Sequence, residues 1–439
     1  MKFFIIILFI IFQSCSFDNK SGIWTNENDK ISDQNQKDDF IVLSATSNIF
    51  NKTIPKQNNF NFKIFNTYKN NNWNDIFFNK NNNLINLKYN NSNKLIFKSK
   101  KITRQNLSSH VLFQNNNLIT HDYKGNIFVY SIEENKIIDK FNFYKNKYKK
   151  FKKTLNLIVE NNIIFVTDSL GYVYAYDFLK KEILWAKNYK IPFRSNLKII
   201  KNKLAAANQS NTLYFLNKFN GEIIKLIPTE ETPIKNKFIN NLASFENNTF
   251  FLNTYGSLYS IQNDSSRVTW FINLNETLDT SLNNLFFGSQ IVINNDLIAI
   301  TSKKFLYLIN KNNGSVIYKK NFSSFIRPLI IENNLFIITE NNLLVAVDIK
   351  KKEIIYSYDI NEKISKYLNI KKKTVDFKDI LIANNQIFIF LKNSYLLKFS
   401  LDGELEKVNK LPSKMISKPI IVNGALVYLD KNNKIFIID

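Results

Sequence analysis

A single cysteine, Cys15, stands in a chain of 439 residues. That excludes a disulfide framework and any Cys-rich metal site. Two histidines, His110 and His121, leave little material for a zinc or copper centre. Nine glycines and seven prolines are too few for a collagen-like or proline-rich chain. Ser/His/Asp triads, Gly-rich phosphate loops and nucleic-acid motifs are missing as well. Acidic residues are scarce beside basic ones, 36 against 60, which leaves a net charge of +24.

What is present is a chain able to bury a core: 44% of residues are hydrophobic and 14% aromatic. The length suits two or three ordinary domains or one large repeat domain. Lysines are spread between apolar runs and at turns, among abundant Asn, Ile and Phe, as AT-rich coding would give. A solvated basic surface is the expectation, with an anionic lipid or acidic protein face as the alternative partner and no nucleic acid.

The N-terminus reads as an export signal. Met1-Lys2 precedes the apolar run Phe3 to Phe12, and Gln13-Ser14-Cys15 follows. This is the layout of a secretory signal, and the run is short of the roughly 20 residues that span a bilayer. With the chain's one Cys at its end, it resembles the bacterial lipobox, although Phe12 and Gln13 depart from the usual pattern. A plain signal with an incidental Cys is the alternative. Ser16 after the Cys, by analogy with lipoprotein sorting, favours the outer membrane. Residues 1–14 are therefore expected to be a signal peptide, and 15–65 a lipidated Cys15 with a polar tether. Residues 66–439 are expected to be the folded body.

That body is a repeat. Four-residue apolar segments recur as Ile127-Phe128-Val129-Tyr130, Val173-Tyr174-Ala175-Tyr176, Leu213-Tyr214-Phe215-Leu216 and Leu258-Tyr259-Ser260-Ile261. They continue as Leu306-Tyr307-Leu308-Ile309, Leu344-Val345-Ala346-Val347, Leu396-Leu397-Lys398-Phe399 and Ile435-Phe436-Ile437-Ile438, at a mean spacing of 44 residues. The runs are short, β-branched and aromatic, and are bounded by Asn, Asp and Gly, which argues for strands. A period of about 40–50 residues with four strands per unit predicts a β-propeller. The eighth unit, from Pro419, has room for only three strands. Lys94 to Ile102 would supply the fourth. The predicted fold is all-β: an eight-bladed β-propeller of four-stranded antiparallel blades, the last closed by an N-terminal strand.

Gly171-Tyr172-Val173-Tyr174-Ala175-Tyr176-Asp177 followed by Lys181-Glu182-Ile183-Leu184-Trp185 resembles a pyrroloquinoline-quinone-type propeller repeat. Most other copies lack its Gly or its Trp. Together with the lipobox-like Cys and the polar tether, the chain resembles the propeller lipoprotein subunit of the bacterial outer-membrane β-barrel assembly machinery. The resemblance implies a non-enzymatic scaffold without cofactor or metal. It would be lipid-anchored in the outer membrane and face the periplasm. Its expected partners are the central barrel subunit and unfolded barrel precursors. It also implies a contact loop after the second blade's Trp, Tyr189 to Ser195, with Ile191, Phe193 and Arg194 as partner-binding candidates. In the next connection, Thr232 to Leu242, acidic residues are implied. The chain has Lys235, Asn236, Lys237, Asn240 and Asn241 there.

Two alternatives stand beside this. One is a propeller that binds another envelope partner. The other is a quinone-dependent periplasmic dehydrogenase, with Ca²⁺ and quinone on the axis and an Asp as base. Asp122, Asp168 and Asp177 are the carboxylates nearest strands, yet they occupy repeated turn positions, where Asp serves turn geometry. His110 and His121, 11 residues apart, are conceivable as a metal pair but read better as incidental.

Overall fold

The computed structural model describes residues 15–17, 24–26, 49–58, 60–145, 148, 150–231, 235–275 and 286–439. It divides into two compact units, Met1–Asn48 and Ile49–Asp439. In the first, Cys15–Phe17 pairs antiparallel with Trp24–Asn26, of which the backbone alone is described. Residues 1–14, the expected signal peptide, lie outside the described residues. The body begins at Ile49, so residues 49–65, read from sequence as the end of the tether, already belong to it.

The second unit contains eight four-stranded antiparallel sheets. Blades one to seven are simple meanders whose first strands begin at Leu112, Leu155, Lys198, Asn241, Val292, Leu329 and Phe377. Blade eight is built from Ile420–Val422, Ala425–Leu429 and Ile435–Ile438, with Leu95–Lys98 as its outer strand. Leu95 pairs with Ile438 and Lys98 with Phe436, so both ends of the ring-forming chain share one sheet. The eight third strands coincide with the repeats read from the sequence.

Asparagine shapes the hairpins. The turns between first and second strands carry Asn115-Asn116, Asn161-Asn162 and Asn384-Asn385, all at positive φ between 48° and 67°. Successive positive-φ residues match the two-residue hairpin turn whose twist suits the strands, and Asn tolerates that region.

Adjacent blades are joined by an aromatic wedge. Trp185, on the outer strand of blade two, donates Nε1–H to the Lys218 carbonyl of blade three at 2.9 Å. Trp270 reaches Lys311 in blade five at 3.0 Å. Tyr356 reaches Leu401 in blade seven at 2.9 Å. In each receiving blade a glycine lies under the ring. A Cβ on Gly221 would come within 2.5 Å of Trp185, one on Gly314 within 2.6 Å of Trp270, and one on Gly403 within 2.7 Å of Tyr356. The Gly and Trp of the repeat thus act across a blade boundary. Where blade one carries Asp139 instead, blade two has Lys181 in place of the Gly. Where blade three carries Lys225, blade four has Ser266.

Candidate partner face and the filled axis

In every blade the first strand is innermost, and its inner edge faces the axis. Such an edge carries unpaired backbone groups that must be satisfied. Residues 70–87 satisfy them, visiting the blades in ring order. The Asn70 amide donates to Ile421 O of blade eight at 3.0 Å. Trp73 and Phe113 of blade one exchange backbone bonds of 2.6 and 2.9 Å. Val159 N of blade two donates to Asn74 O at 3.0 Å, and Ser244 N of blade four to Lys80 O at 2.8 Å. Ile293 N of blade five donates to Asn81 O at 3.0 Å. The Asn83 amide donates to Ile330 O of blade six at 2.8 Å. Leu87 N donates to Ile382 O of blade seven at 3.2 Å.

Blade three is met through a charge. Lys198 Nζ, fully buried, donates to Asp75 Oδ2 at 2.6 Å, Asn79 O at 2.8 Å and Asn82 Oδ1 at 2.5 Å. Burial pushes this amine below its ordinary value while Asp75 pulls it back. Arg327 Nη1 donates to Phe77 O at 2.8 Å and Asn82 O at 3.1 Å. The segment is a belt that closes one mouth of the axial channel. Sequence reasoning missed it. Its signal was the clustering of Asn70–Asn72 and Asn81–Asn83 around Trp73, amides spaced to serve separate strands instead of one face of an element.

A cavity of about 180 Å³ remains above the belt, lined in part by Phe77, His110, His121, Asn156, Gln290 and Lys418. Burial pushes His110 down to about 3, helped by the charges of Lys418 and Arg327, and His121 down to about 4. Both therefore stay neutral at ordinary pH. The three carboxylates considered from sequence are turn caps. Asp122 Oδ1 accepts from Lys124 N and Asn126 N at 2.9 and 3.0 Å. Asp168 Oδ1 accepts from Leu170 N and Tyr172 N, both at 2.8 Å. Asp177 Oδ1 accepts from Leu179 N and Lys180 N, both at 3.0 Å.

The connection between blades two and three lies on the face opposite the belt. Ile191 is 37% exposed. Phe193 is buried, packed edge-on against Tyr214 at 5.3 Å and Tyr189 at 6.0 Å. Its ring therefore anchors the loop from within and is not presented to a partner. Arg194 is half-buried, and its guanidinium donates to the Asn236 carbonyl in the next connection. Asn240 N returns a bond to Arg194 O at 3.1 Å. Arg194 thus links the two loops that the sequence singled out, although the second has no acidic residue within Lys235 to Leu242. Cys15 lies in the other unit, where its side chain is outside the described residues.

A family model described as outer membrane protein assembly factor BamB matches residues 98–358, more than half of the chain. The chain belongs to the BamB family. No curated protein matches it in sequence. BamB from Moraxella catarrhalis is similar in structure, with a TM-score of 0.63 and 9% identity over 79% of this chain and 99% of that one. A europium-containing methanol dehydrogenase is similar with a TM-score of 0.61 and 9% identity, over 84% and 89% of the two chains. A quinohemoprotein alcohol dehydrogenase from Pseudomonas putida HK5 gives 0.62 and 9%, over 82% and 76%. Identities this low carry the fold alone.

The residues on the axis do not fit the calcium and quinone that an enzyme would need. Calcium takes six to eight oxygen ligands, several of them carboxylates. The open cavity has no Asp or Glu in its lining. Among the described residues no three His, Cys, Asp or Glu converge as a metal site. Two buried carboxylates do lie near the axis, and both face cations: Asp75 is bound to Lys198, and Asp379 of blade seven lies 3.9 Å from Lys418.

Proposed function

We propose that the chain is a non-enzymatic scaffold of outer-membrane β-barrel assembly, held to the periplasmic side of the outer membrane by an acylated Cys15. It binds the central barrel subunit and meets unfolded barrel precursors. Membership of the BamB family carries this reading. The belt supports it: one mouth of the axis is taken up by the chain's own backbone and amides, and the cavity left beside it has no carboxylate in its lining. What remains for function is the loop-bearing face. There Ile191 offers an exposed apolar contact and Arg194 a cation. Phe193 holds both from below. An apolar anchor beside an Arg is a common composition for an interface hot spot.

Co-purification from envelope extract tests this. The wild-type chain should capture a large outer-membrane barrel protein with periplasmic repeat domains. Ile191→Asp should weaken capture at least tenfold, about 1.4 kcal/mol, without lowering the melting temperature. Capture of no such protein, or full capture by Ile191→Asp, refutes the function or the site respectively. Dye reduction on addition of quinone and Ca²⁺ would instead support the enzyme reading.

A further inference from the structure

The connection from blade six to blade seven departs from the repeat. It contains the helix Ile360–Leu368, capped by Asp359, whose Oδ1 accepts from Asn361 N at 2.8 Å and Glu362 N at 3.2 Å. Asn369, at φ 51°, ends it. From Lys366 to Thr374 every residue is exposed. This stretch, Lys-Tyr-Leu-Asn-Ile-Lys-Lys-Lys-Thr, holds four lysines and no acidic residue of its own; Lys366 pairs with Glu362 at 2.7 Å and Lys372 with Asp359 at 2.6 Å, beside Lys371 and Lys373. Tyr367, Leu368 and Ile370 are 47%, 40% and 49% exposed. Beneath them runs a groove of about 170 Å³, lined by Ile364, Leu368, Ile370, Val375, Tyr395 and Leu397 among others.

The segment that brings the chain into the body lies against the same helix. Ile54 pairs antiparallel with Ser357, through backbone bonds of 2.8 and 2.9 Å. Thr53, Ile54 and Pro55 face Tyr358, Glu362 and Lys366 across a common cleft. The corner of the ring that receives the N-terminal segment is thus the corner that carries the exposed basic and apolar stretch.

We propose that residues 366–374 dock on the surface of a phospholipid leaflet with anionic headgroups. Lysines beside Tyr, Leu and Ile on an exposed edge have the composition of an interfacial element: the cations meet headgroups while the apolar side chains enter the acyl boundary. The proposal rests on the lipid-anchored reading, under which the chain works at a membrane surface. With a second attachment the propeller would be oriented as well as tethered.

Flotation with vesicles tests it, using the full chain with Cys15→Ser so that no acyl group contributes. The wild-type stretch should bind vesicles of phosphatidylethanolamine and phosphatidylglycerol, and bind phosphatidylcholine vesicles far less. One lysine near an anionic surface is worth about 1 kcal/mol, or fivefold; with Lys372 already paired to Asp359, K371Q/K372Q/K373Q should weaken binding by at least about 25-fold. Neutralising Lys145, Lys150 and Lys152, in the connection between blades one and two, serves as the control for net charge. Leu368→Ser with Ile370→Ser should weaken binding even at high salt. The proposal is overturned if the two lysine triples behave alike, if phosphatidylcholine binds equally, or if only an acidic polypeptide binds. Palmitate labelling of the wild type is read separately: unlabelled Cys15 with intact vesicle binding counts against the anchor alone.

Discussion

The wedge between blades two and three allows a quantitative test of how the ring holds together. Trp185 is 8% exposed, and its ring covers the point where Gly221 turns at φ +74°. Trp185→Ala removes a large buried side chain and should cost about 3–5 kcal/mol. Gly221→Ala adds a methyl group 2.5 Å from that ring, in a backbone region that L-residues resist. The left-handed conformation costs about 1–2 kcal/mol, and the collision about 1–3 more. In the double variant the collision is gone and only the conformational cost remains. The two substitutions should therefore combine to less than their sum by about 1–3 kcal/mol. Urea unfolding of all four proteins, followed by far-UV circular dichroism, measures this coupling. Additivity within about 0.5 kcal/mol would mean that the pairing of ring and glycine across the boundary is incidental. Trp270 with Gly314 offers the same cycle at the junction of blades four and five.

The belt gives a second expectation. Asp75→Ala leaves the Lys198 charge buried without its partner and should cost about 3–5 kcal/mol, much of it recovered when Lys198→Met is added. If the single and double variants melt alike, the ion pair does not hold the belt. The pH response follows from the two buried histidines. The unfolded value of each is near 6.5, and the folded values are about 3 for His110 and about 4 for His121, so the unfolded chain binds these protons first as pH falls. Their contribution is complete above about pH 6.5 and falls by up to about 1.4 kcal/mol per pH unit for each histidine down to about pH 4. His121→Gln should roughly halve that slope in melting temperatures recorded from pH 7 to 4, and an unchanged slope would exclude His121 as a source. Finally, Cys15→Ala should abolish palmitate incorporation and weaken attachment to the membrane fraction, leaving only the docking of residues 366–374. Retention with undiminished label would place the acyl group elsewhere.

The repeat itself was legible because blades are local. Each strand pairs with its neighbour in sequence, so the period-two apolar segments and the Asn turns state the sheet directly. Closure could be read by counting: the eighth unit lacked a strand, and only Lys94 to Ile102 was free to supply it. The belt could not be read the same way. Trp73, Lys80, Asn83 and Leu87 each serve a different blade, so no periodicity links them. Phe193 looked like an interface anchor from its neighbours Ile191 and Arg194, but an aromatic at that position also fills the gap beside Tyr214. Sequence spacing does not say which side of a loop is outside. The helix after blade six carried a signal, Asp359 with Glu362 three residues on, the pattern of a capped first turn. The dominant β-period masked it.

The belt also couples hub and rim. Residues 70–87 are made before any blade, yet they end at the hub of a ring whose rim is completed only by Ile435–Ile438, the last described strand. Tyr68 pairs with Leu87, so the two ends of the belt lie side by side and it seats in the ring as a loop. Each blade gives its inner edge to an amide or carbonyl of the hub, so the hub and the rim hold one another. A chain stopped short of the eighth blade would have a hub without a closed rim, its first and last sheets open to each other and to other copies.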